Sequence, residues 1–224
     1  MDFASIITEL KSYANLANVA GMARFGITGK YVLGGPNIPT IRKMAKKIGR
    51  NHKLALELWK SGIHEARILA PMIDEFELVT EKQFLAWASD FDSWDVCDQC
   101  CTNLFDKVPF AYEMVVKLSG HEEEFIKRTS FALMAVLAVH DKKASDKKMA
   151  AFFPIIKREC KDERNYVRKA VNWALRQIGK RNAELRKQAI LVAEEILKID
   201  NKAAKWIAGD ALRELKNPKV RNRN

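Results

Sequence analysis

The residues from Ser93 to Cys101, SWDVCDQCC, place one tryptophan, two carboxylates and three thiols within nine positions. Such a segment could hold a metal ion, a redox pair or a catalytic carboxylate, or it could simply pack in a helix. Cys97 and Cys100 have the C-x-x-C spacing, but a structural zinc site needs four ligands and Cys160 stands alone. We therefore expect no metal and no cofactor, and we expect Cys97 and Cys101 to pack inward from one helix face.

The two carboxylates of this segment have different interpretations. In a helix with Ser93 as its N-cap, Trp94 and Asp98 lie one turn apart on the same face. Asp95 falls in the first turn, where the helix dipole favours an acid. Trp94 could equally be a core aromatic and Asp98 a surface acid, so the segment alone does not separate a reactive site from ordinary helix structure.

The charge balance points to a polyanionic partner. The chain has 39 lysines and arginines against 28 aspartates and glutamates, a formal net charge of +11. A field of that sign attracts nucleic acid, although a merely solubilising surface is the alternative. There is no apolar run long enough for a membrane span, no secretory signal pattern and no disulfide framework. We expect a cytoplasmic, nucleoid-associated protein.

Hydrophobic periodicity predicts helix after helix, about a dozen in all, with almost no strand. Residues 26–39 contain four glycines and two prolines and are predicted to form a loop. Phe125–Val139 aligns with Tyr166–Lys180, so that Lys169 follows Arg128 by 41 residues. A period near ~40 with two helices per unit is typical of HEAT-type repeats. We predict an all-α fold, a curved solenoid of antiparallel HEAT-like helix pairs, in a single domain over residues 1–224.

Five segments then occur in a characteristic order: GMARFGI, NIPTIRKMAKKI, SWDVCD, FIKRTSFALMAVL and VRKAVNWALRQIGKRN. In this order they resemble the AlkD-like DNA alkylation repair proteins, the HEAT-repeat DNA glycosylase family, over roughly residues 3–215. The most specific pieces are Trp94-x-x-x-Asp98 and the segment around Trp173.

The resemblance implies a monofunctional glycosylase. Such an enzyme hydrolyses the N-glycosidic bond of cationic alkylated purines, N3-alkyladenine and N7-alkylguanine, in duplex DNA without enclosing the base in a pocket. Trp94, Asp98 and Trp173 match the positions that contact the deoxyribose, and Arg128 matches the active-site arginine. Phe25 stands where the best-known form of the family has a tyrosine, so a hydroxyl is lost there.

Cleavage of a glycosidic bond explains these residue types, because positive charge develops on the sugar. An alkylated base that is already cationic leaves as a neutral molecule, so no acid is needed to protonate it. Ionised Asp98 could stabilise the sugar cation and accept a proton from water. The ring faces of Trp94 and Trp173 could each add about 0.5–2 kcal/mol by cation–π attraction.

The predicted partner is alkylated double-stranded DNA, bound by a monomer with no obligate protein partner and no membrane. Phosphate contacts need lysine and arginine side chains. The DNA-binding candidates are Arg128, Phe25, Lys127, Lys169 and Arg176.

Two other functions remain open from the sequence. The first is a HEAT-repeat protein that binds distorted or branched DNA without catalysis, and the second is a HEAT scaffold for protein partners. The joint presence of Trp94, Asp98, Arg128 and Trp173 favours the glycosylase over the first, and the excess of basic residues disfavours the second.

Overall fold

The computed structural model describes residues 1–29 and 31–220. Over these residues the secondary structure is helical, with no β-strand and with two short 3-10 segments, Phe76–Leu78 and Phe105–Lys107. The α-helices are α1 (Phe3–Ser12), α2 (Leu16–Ala23), α3 (Ile38–Ile48), α4 (His52–Lys60), α5 (His64–Ile73), α6 (Glu81–Ser89), α7 (Trp94–Asn103), α8 (Ala111–Leu118), α9 (Glu124–His140), α10 (Asp146–Ala150), α11 (Phe153–Glu159), α12 (Asn165–Gly179), α13 (Ala183–Leu197) and α14 (Lys202–Leu215). The predicted all-α class is confirmed.

Polar side chains begin many of these helices. In each case a side-chain oxygen accepts a hydrogen bond from a backbone N–H of the first turn, which has no partner within the helix. Residues that do this are Asp2, Asn15, Asn37, Asn51, Thr80, Ser145, Asn182 and Asn201. At the other end of α3, Gly49 has φ +79°, a conformation that other residues rarely adopt.

Helix α2 is the element that periodicity does not predict. None of its residues is buried, and Leu16 is 86% exposed, so its apolar residues do not mark a core-facing stripe. The signal that could have found it is Asn15, whose Oδ1 accepts from the N–H groups of Ala17 and Asn18. The predicted loop over residues 26–39 is correct up to Asn37, and Lys30 lies outside the described residues.

The chain divides into two compact units, Met1–Pro109 and Phe110–Asn224, called here the N-terminal and C-terminal units. A single functional domain over residues 1–224 stays a prediction. Within the described residues, no helix combines the length and the apolar character that crossing a membrane requires.

In the N-terminal unit, α5 is central and packs against α3, α4 and α7. Pro71 lies in the last turn of α5, which continues to Ile73 instead of breaking there. Aromatic stacking closes the core on the side of α6, where the Trp59 and Trp87 ring centroids are 4.0 Å apart. Helix α7, which carries Trp94 and Asp98, packs against α5, and Asp95 near its start contacts His64 at the start of α5.

In the C-terminal unit, α9 packs extensively along α12, and α12 packs in turn against α13 and α14. Gly179 lets these last helices approach closely, because an added Cβ would lie 2.8 Å from side-chain atoms of Ala189 and Leu215. The two segments that align in sequence therefore form neighbouring helices, with Arg128 on α9 and Lys169 on α12.

Candidate active site and DNA-binding residues

Helix α7 begins at Trp94 and keeps Trp94 and Asp98 one turn apart, as predicted, with both side chains half-buried. Its N-terminus differs from the prediction in one respect. Ser93 occupies the N-cap position, but its side chain makes no cap hydrogen bond, and its Oγ is buried without a hydrogen-bond partner in the described structure. The predicted N-cap position of Ser93 is therefore confirmed, but its side chain does not make the capping hydrogen bond.

The structure brings Trp94 and Phe25 together. The indole Nε1 of Trp94 donates to the backbone carbonyl of Phe25 at 3.0 Å, while the Phe25 side chain is 68% exposed. Because the acceptor is a backbone carbonyl, this bond does not need the hydroxyl of the family's tyrosine. The indole ring of Trp94 can therefore contact a ligand, while its N–H binds the loop between α2 and α3.

Asp95 has a second role besides that of a first-turn acid. Its Oδ2 lies 2.9 Å from Nε2 of His64, the first residue of α5, and both side chains are largely buried. Burial lowers the pKa of His64, but the hydrogen bond and charge of Asp95, together with Glu65 and Asp92, outweigh it and raise that pKa. The pair pins the start of α7 to α5, next to Trp94.

A cavity of about 610 Å³ lies beside this pair in the N-terminal unit. The N-terminal ends of α3, α5 and α7 contribute Ile38, His64 and Asp95, while Tyr13 and Phe25 come from outside them. Neither the His64–Asp95 pair nor the cavity is predicted from the sequence. A local sequence pattern cannot predict this pair, because His64 and Asp95 are 31 residues apart in the sequence.

The cysteines of α7 pack as expected. Cys97, Cys100 and Cys101 are completely buried, and all four cysteines are unoxidised thiols. Burial raises the pKa of the Cys100 and Cys101 thiols well above the usual value, so both stay protonated. In the described part of the chain, no cluster of three or more histidine, cysteine, aspartate or glutamate side chains could hold a metal ion.

In the C-terminal unit, Arg128 is only 5% exposed. Its Nη1 donates to the backbone carbonyl of Tyr166 at 2.7 Å, which ties α9 to the first turn of α12. This contact gives Arg128 a structural task, and its predicted role in holding a phosphate stays a prediction.

Lys127 and Arg176 were predicted to bind DNA, but the structure gives both a different use. Lys127 is 7% exposed, and its Nζ lies 2.5 Å from Glu159 and 2.9 Å from Asp162. Arg176 binds Glu214 at 2.5 Å. Carboxylates of the same unit therefore compensate both charges, and the DNA contacts predicted for these two residues stay predictions.

Lys169 and Trp173 are placed differently. Lys169 is exposed on α12 and makes no ion pair within the described structure. Trp173 is half-buried one turn further along α12, and its indole N–H has no hydrogen-bond partner among the described residues. Both side chains therefore keep their binding capacity for a ligand.

Comparisons with known proteins relate the chain to DNA repair. The family model for the DNA alkylation repair enzyme matches residues 6–215. A solved protein from a new family related to the HEAT-like repeat DNA glycosylases, with affinity for branched DNA structures, has a TM-score of 0.78 and 20% identity, covering 95% of each chain. A designed armadillo repeat protein has a TM-score of 0.38 and 17% identity, covering 81% of this chain and 95% of its own. No curated protein sequence matches the chain.

The first of these solved structures shows that the fold is of the HEAT-like repeat type, which confirms the predicted class. The family match runs through both compact units and includes α7 with Trp94 and Asp98, as well as α9 and α12. The chain belongs to the DNA alkylation repair enzyme family.

Proposed function

We propose that the protein is a DNA glycosylase that removes cationic N-alkylated purines, N3-alkyladenine and N7-alkylguanine, from duplex DNA. The observation that carries the proposal is the pair on α7, a half-buried Trp94 one turn before Asp98, in a member of this repair family. An aromatic ring and a carboxylate on one helix face are the groups that an incipient sugar cation needs.

The proposed step is a hydrolysis. The bond between C1′ of the sugar and the base nitrogen breaks, and its electron pair neutralises the positive charge of the alkylated ring. Asp98 stabilises the sugar cation, a water oxygen bonds to C1′, and the proton released by that water passes to Asp98 and then to solvent. No protein acid is required, because the base leaves as a neutral molecule.

The C-terminal unit would contribute DNA contacts. Trp173 offers an indole to the deoxyribose backbone, and Lys169 offers a charge to a phosphate. Arg128, which also donates to the Tyr166 carbonyl, is the residue that the resemblance assigns to a phosphate. The protein would act as a monomer on the alkylated duplex, with a binding constant that falls steeply as salt rises.

A second function has support of its own. The solved structure that shares the fold belongs to a family described as having affinity for branched DNA. This chain could likewise bind branched DNA without cleaving a glycosidic bond, and the same exposed basic side chains would serve that purpose.

One experiment separates the two functions. Base release is measured under single-turnover conditions from a duplex carrying one N7-methylguanine, and binding to a four-way junction is compared with binding to an unmodified duplex of equal length. Release above the spontaneous rate supports the glycosylase. No release, combined with a clear preference for the junction, replaces it with the binding function.

A further inference from the structure

The N-terminal unit contains a long segment of positive charge with no acid in it. Between Glu9 and Glu57 the sequence has nine lysines and arginines and no aspartate or glutamate, and six of the nine fall within residues 42–53. Four of these six lie on α3, are exposed and form no ion pair within the described residues: Arg42, Lys43, Lys46 and Lys47. A surface of this kind attracts a polyanion.

Basic side chains from this segment line a pocket beside α3. The volume of the pocket is about 340 Å³, at the lower end of the roughly 300–1,000 Å³ common for ligand sites. Arg42 and Lys46 are one turn apart on α3, and Arg50 follows shortly after the end of that helix. Met72, near the end of α5, and Asn103, at the end of α7, complete this part of the lining. None of the described lining residues is an aspartate or a glutamate.

Backbone contacts fix the orientation of Arg50. Its Nη1 donates to the carbonyl of Asp74 at 2.6 Å and lies 3.5 Å from the carbonyl of Met72. The carboxylate of Asp74 is buried and binds His52 and Gln83, and Arg50 forms no ion pair within the described structure. Its Nε and Nη2 therefore remain as donors for an anion, which a guanidinium can bind through two parallel hydrogen bonds.

Lys107 adds a further cation beside the pocket. Its Nζ donates to the backbone carbonyl of Asn103 at 2.6 Å, which places the ammonium group next to a lining residue. Burial lowers the pKa of Lys107 and the positive charge of Arg50 lowers it further, whereas Asp106 raises it. Arg50 and Lys107 are thus close enough to repel each other, and a bound anion would relieve that repulsion.

We propose that this pocket binds a phosphate group of the DNA backbone. Arg42 and Arg50 donate to the phosphate oxygens, and Lys46 adds a point charge. The inference rests on the DNA binding in the proposed function and not on base removal. Asn103 lies at the opposite end of α7 from Trp94, ~14 Å along the helix axis, so the pocket anchors the duplex away from the reacting sugar.

Two pairs of residues on α3 allow a matched comparison. The pocket variant carries Arg42→Gln and Lys46→Gln, and the control variant carries Lys43→Gln and Lys47→Gln. Both variants lose two exposed positive charges from the same helix, but only the first pair lines the pocket. The general attraction to DNA therefore falls by a similar amount in both, and the difference between them measures the pocket. Arg50 stays unchanged because it also binds backbone carbonyls.

The measurement is binding to an unmodified duplex at several salt concentrations, with thermal melting as the folding control. The pocket variant should bind about tenfold more weakly than wild type, the size of one charge-assisted hydrogen bond. Its slope of log K against log salt concentration should be less steep by about 1. The control variant should lose less than about threefold. Equal losses in the two variants, or wild-type affinity in the pocket variant, overturn the proposal.

A second measurement separates a backbone phosphate from the free ion. Thermal melting of wild type is followed as inorganic phosphate replaces chloride at constant ionic strength. We expect an unchanged Tm, because a single free phosphate lacks the neighbouring phosphates of the backbone that bind the other cations of α3. A rise in Tm that the pocket variant does not show, together with equal DNA affinities of the two variants, would assign the pocket to free phosphate and overturn the DNA contact.

The outcome is independent of catalysis, because an unmodified duplex contains no base to remove. Weaker DNA binding by the pocket variant, with no release of N7-methylguanine by wild type, would keep the phosphate pocket and remove the glycosylase proposal. Release by wild type, with equal DNA binding by the two variants, would keep the glycosylase and overturn the phosphate pocket.

Discussion

Replacement of Lys127 by methionine separates a structural lysine from a DNA-binding one. The ammonium group lies between Glu159 and Asp162 and is the cation common to both carboxylates. Its hydrogen bonds help to lower the pKa of both carboxylates against the opposing effect of burial, to about 2 for Asp162. The methionine would leave two carboxylates with less compensation and gain only apolar contacts.

The magnitude follows from this arrangement. Removal of one partner from a buried ion pair typically costs about 3–5 kcal/mol. Each carboxylate keeps an arginine, since Arg158 binds Glu159 and Arg164 binds Asp162, both at 2.5 Å. We therefore expect the lower end, about 3 kcal/mol, which corresponds to a fall in Tm of about 6–12 °C for a protein of this size.

The assay combines thermal melting with DNA binding measured well below both melting temperatures. Lys127→Met should melt early and bind DNA as wild type does. Lys169→Met is the control, because it removes an exposed lysine and should change the free energy of unfolding by less than about 0.5 kcal/mol. Loss of one phosphate contact should reduce the slope of log K against log salt concentration by about 1. A Lys127→Met protein with wild-type Tm and weakened DNA binding would show that Lys127 binds DNA and does not stabilise the fold.

Three further outcomes follow from single contacts. Trp94→Phe keeps a ring but loses the bond to the Phe25 carbonyl, so it should cost about 1 kcal/mol in urea unfolding, and an unchanged unfolding midpoint would contradict that bond. Gly179→Ala places a Cβ 2.8 Å from Ala189 and Leu215 atoms and should destabilise the protein by about 1–3 kcal/mol, whereas a gain in stability would show that these helices are not so close. Because the pKa of Asp162 is lowered from 3.8 to about 2, its contribution to the free energy of unfolding is complete above pH 4 and is lost as the pH falls towards 2. Urea unfolding across that range should show this free energy falling by about 1–2 kcal/mol, and Asp162→Asn should abolish that part of the pH dependence.

Local patterns in the sequence predict most of the fold. Helix α12 buries mainly one face, whereas α9 is buried on all sides from Lys127 to Ala138. Both are recognisable as helices in the sequence, and their 41-residue offset indicates that they are equivalent elements of a repeat. Helix α2 is the exception, because it buries no residue and its start is marked only by the Asn15 cap.

The candidate site is less predictable, because residue type does not reveal a side chain's partners. Lys127 and Lys169 look equivalent in sequence, yet one is enclosed by two carboxylates and the other is exposed. The sequence accounts for Asp95 as an acid in the first turn of a helix, so nothing in the sequence indicates that it pairs with His64 on another helix. Trp94 and Asp98 are recognisable in advance because their spacing on one helix is itself the signal.

The catalytic role of Asp98 is tested most directly by single-turnover release of N7-methylguanine from a duplex, comparing wild type with Asp98→Asn and using thermal melting as the folding control. Asp92→Asn is the matched control, because Asp92 is exposed and has no hydrogen-bond partner among the described residues; Asp95→Asn is unsuitable because it disrupts the pair with His64. We expect Asp98→Asn to keep its Tm and its DNA affinity but to release the base more slowly by a factor on the order of 100 or more, while Asp92→Asn behaves as wild type. Equal rates for Asp98→Asn and wild type would show that Asp98 takes no part in base release.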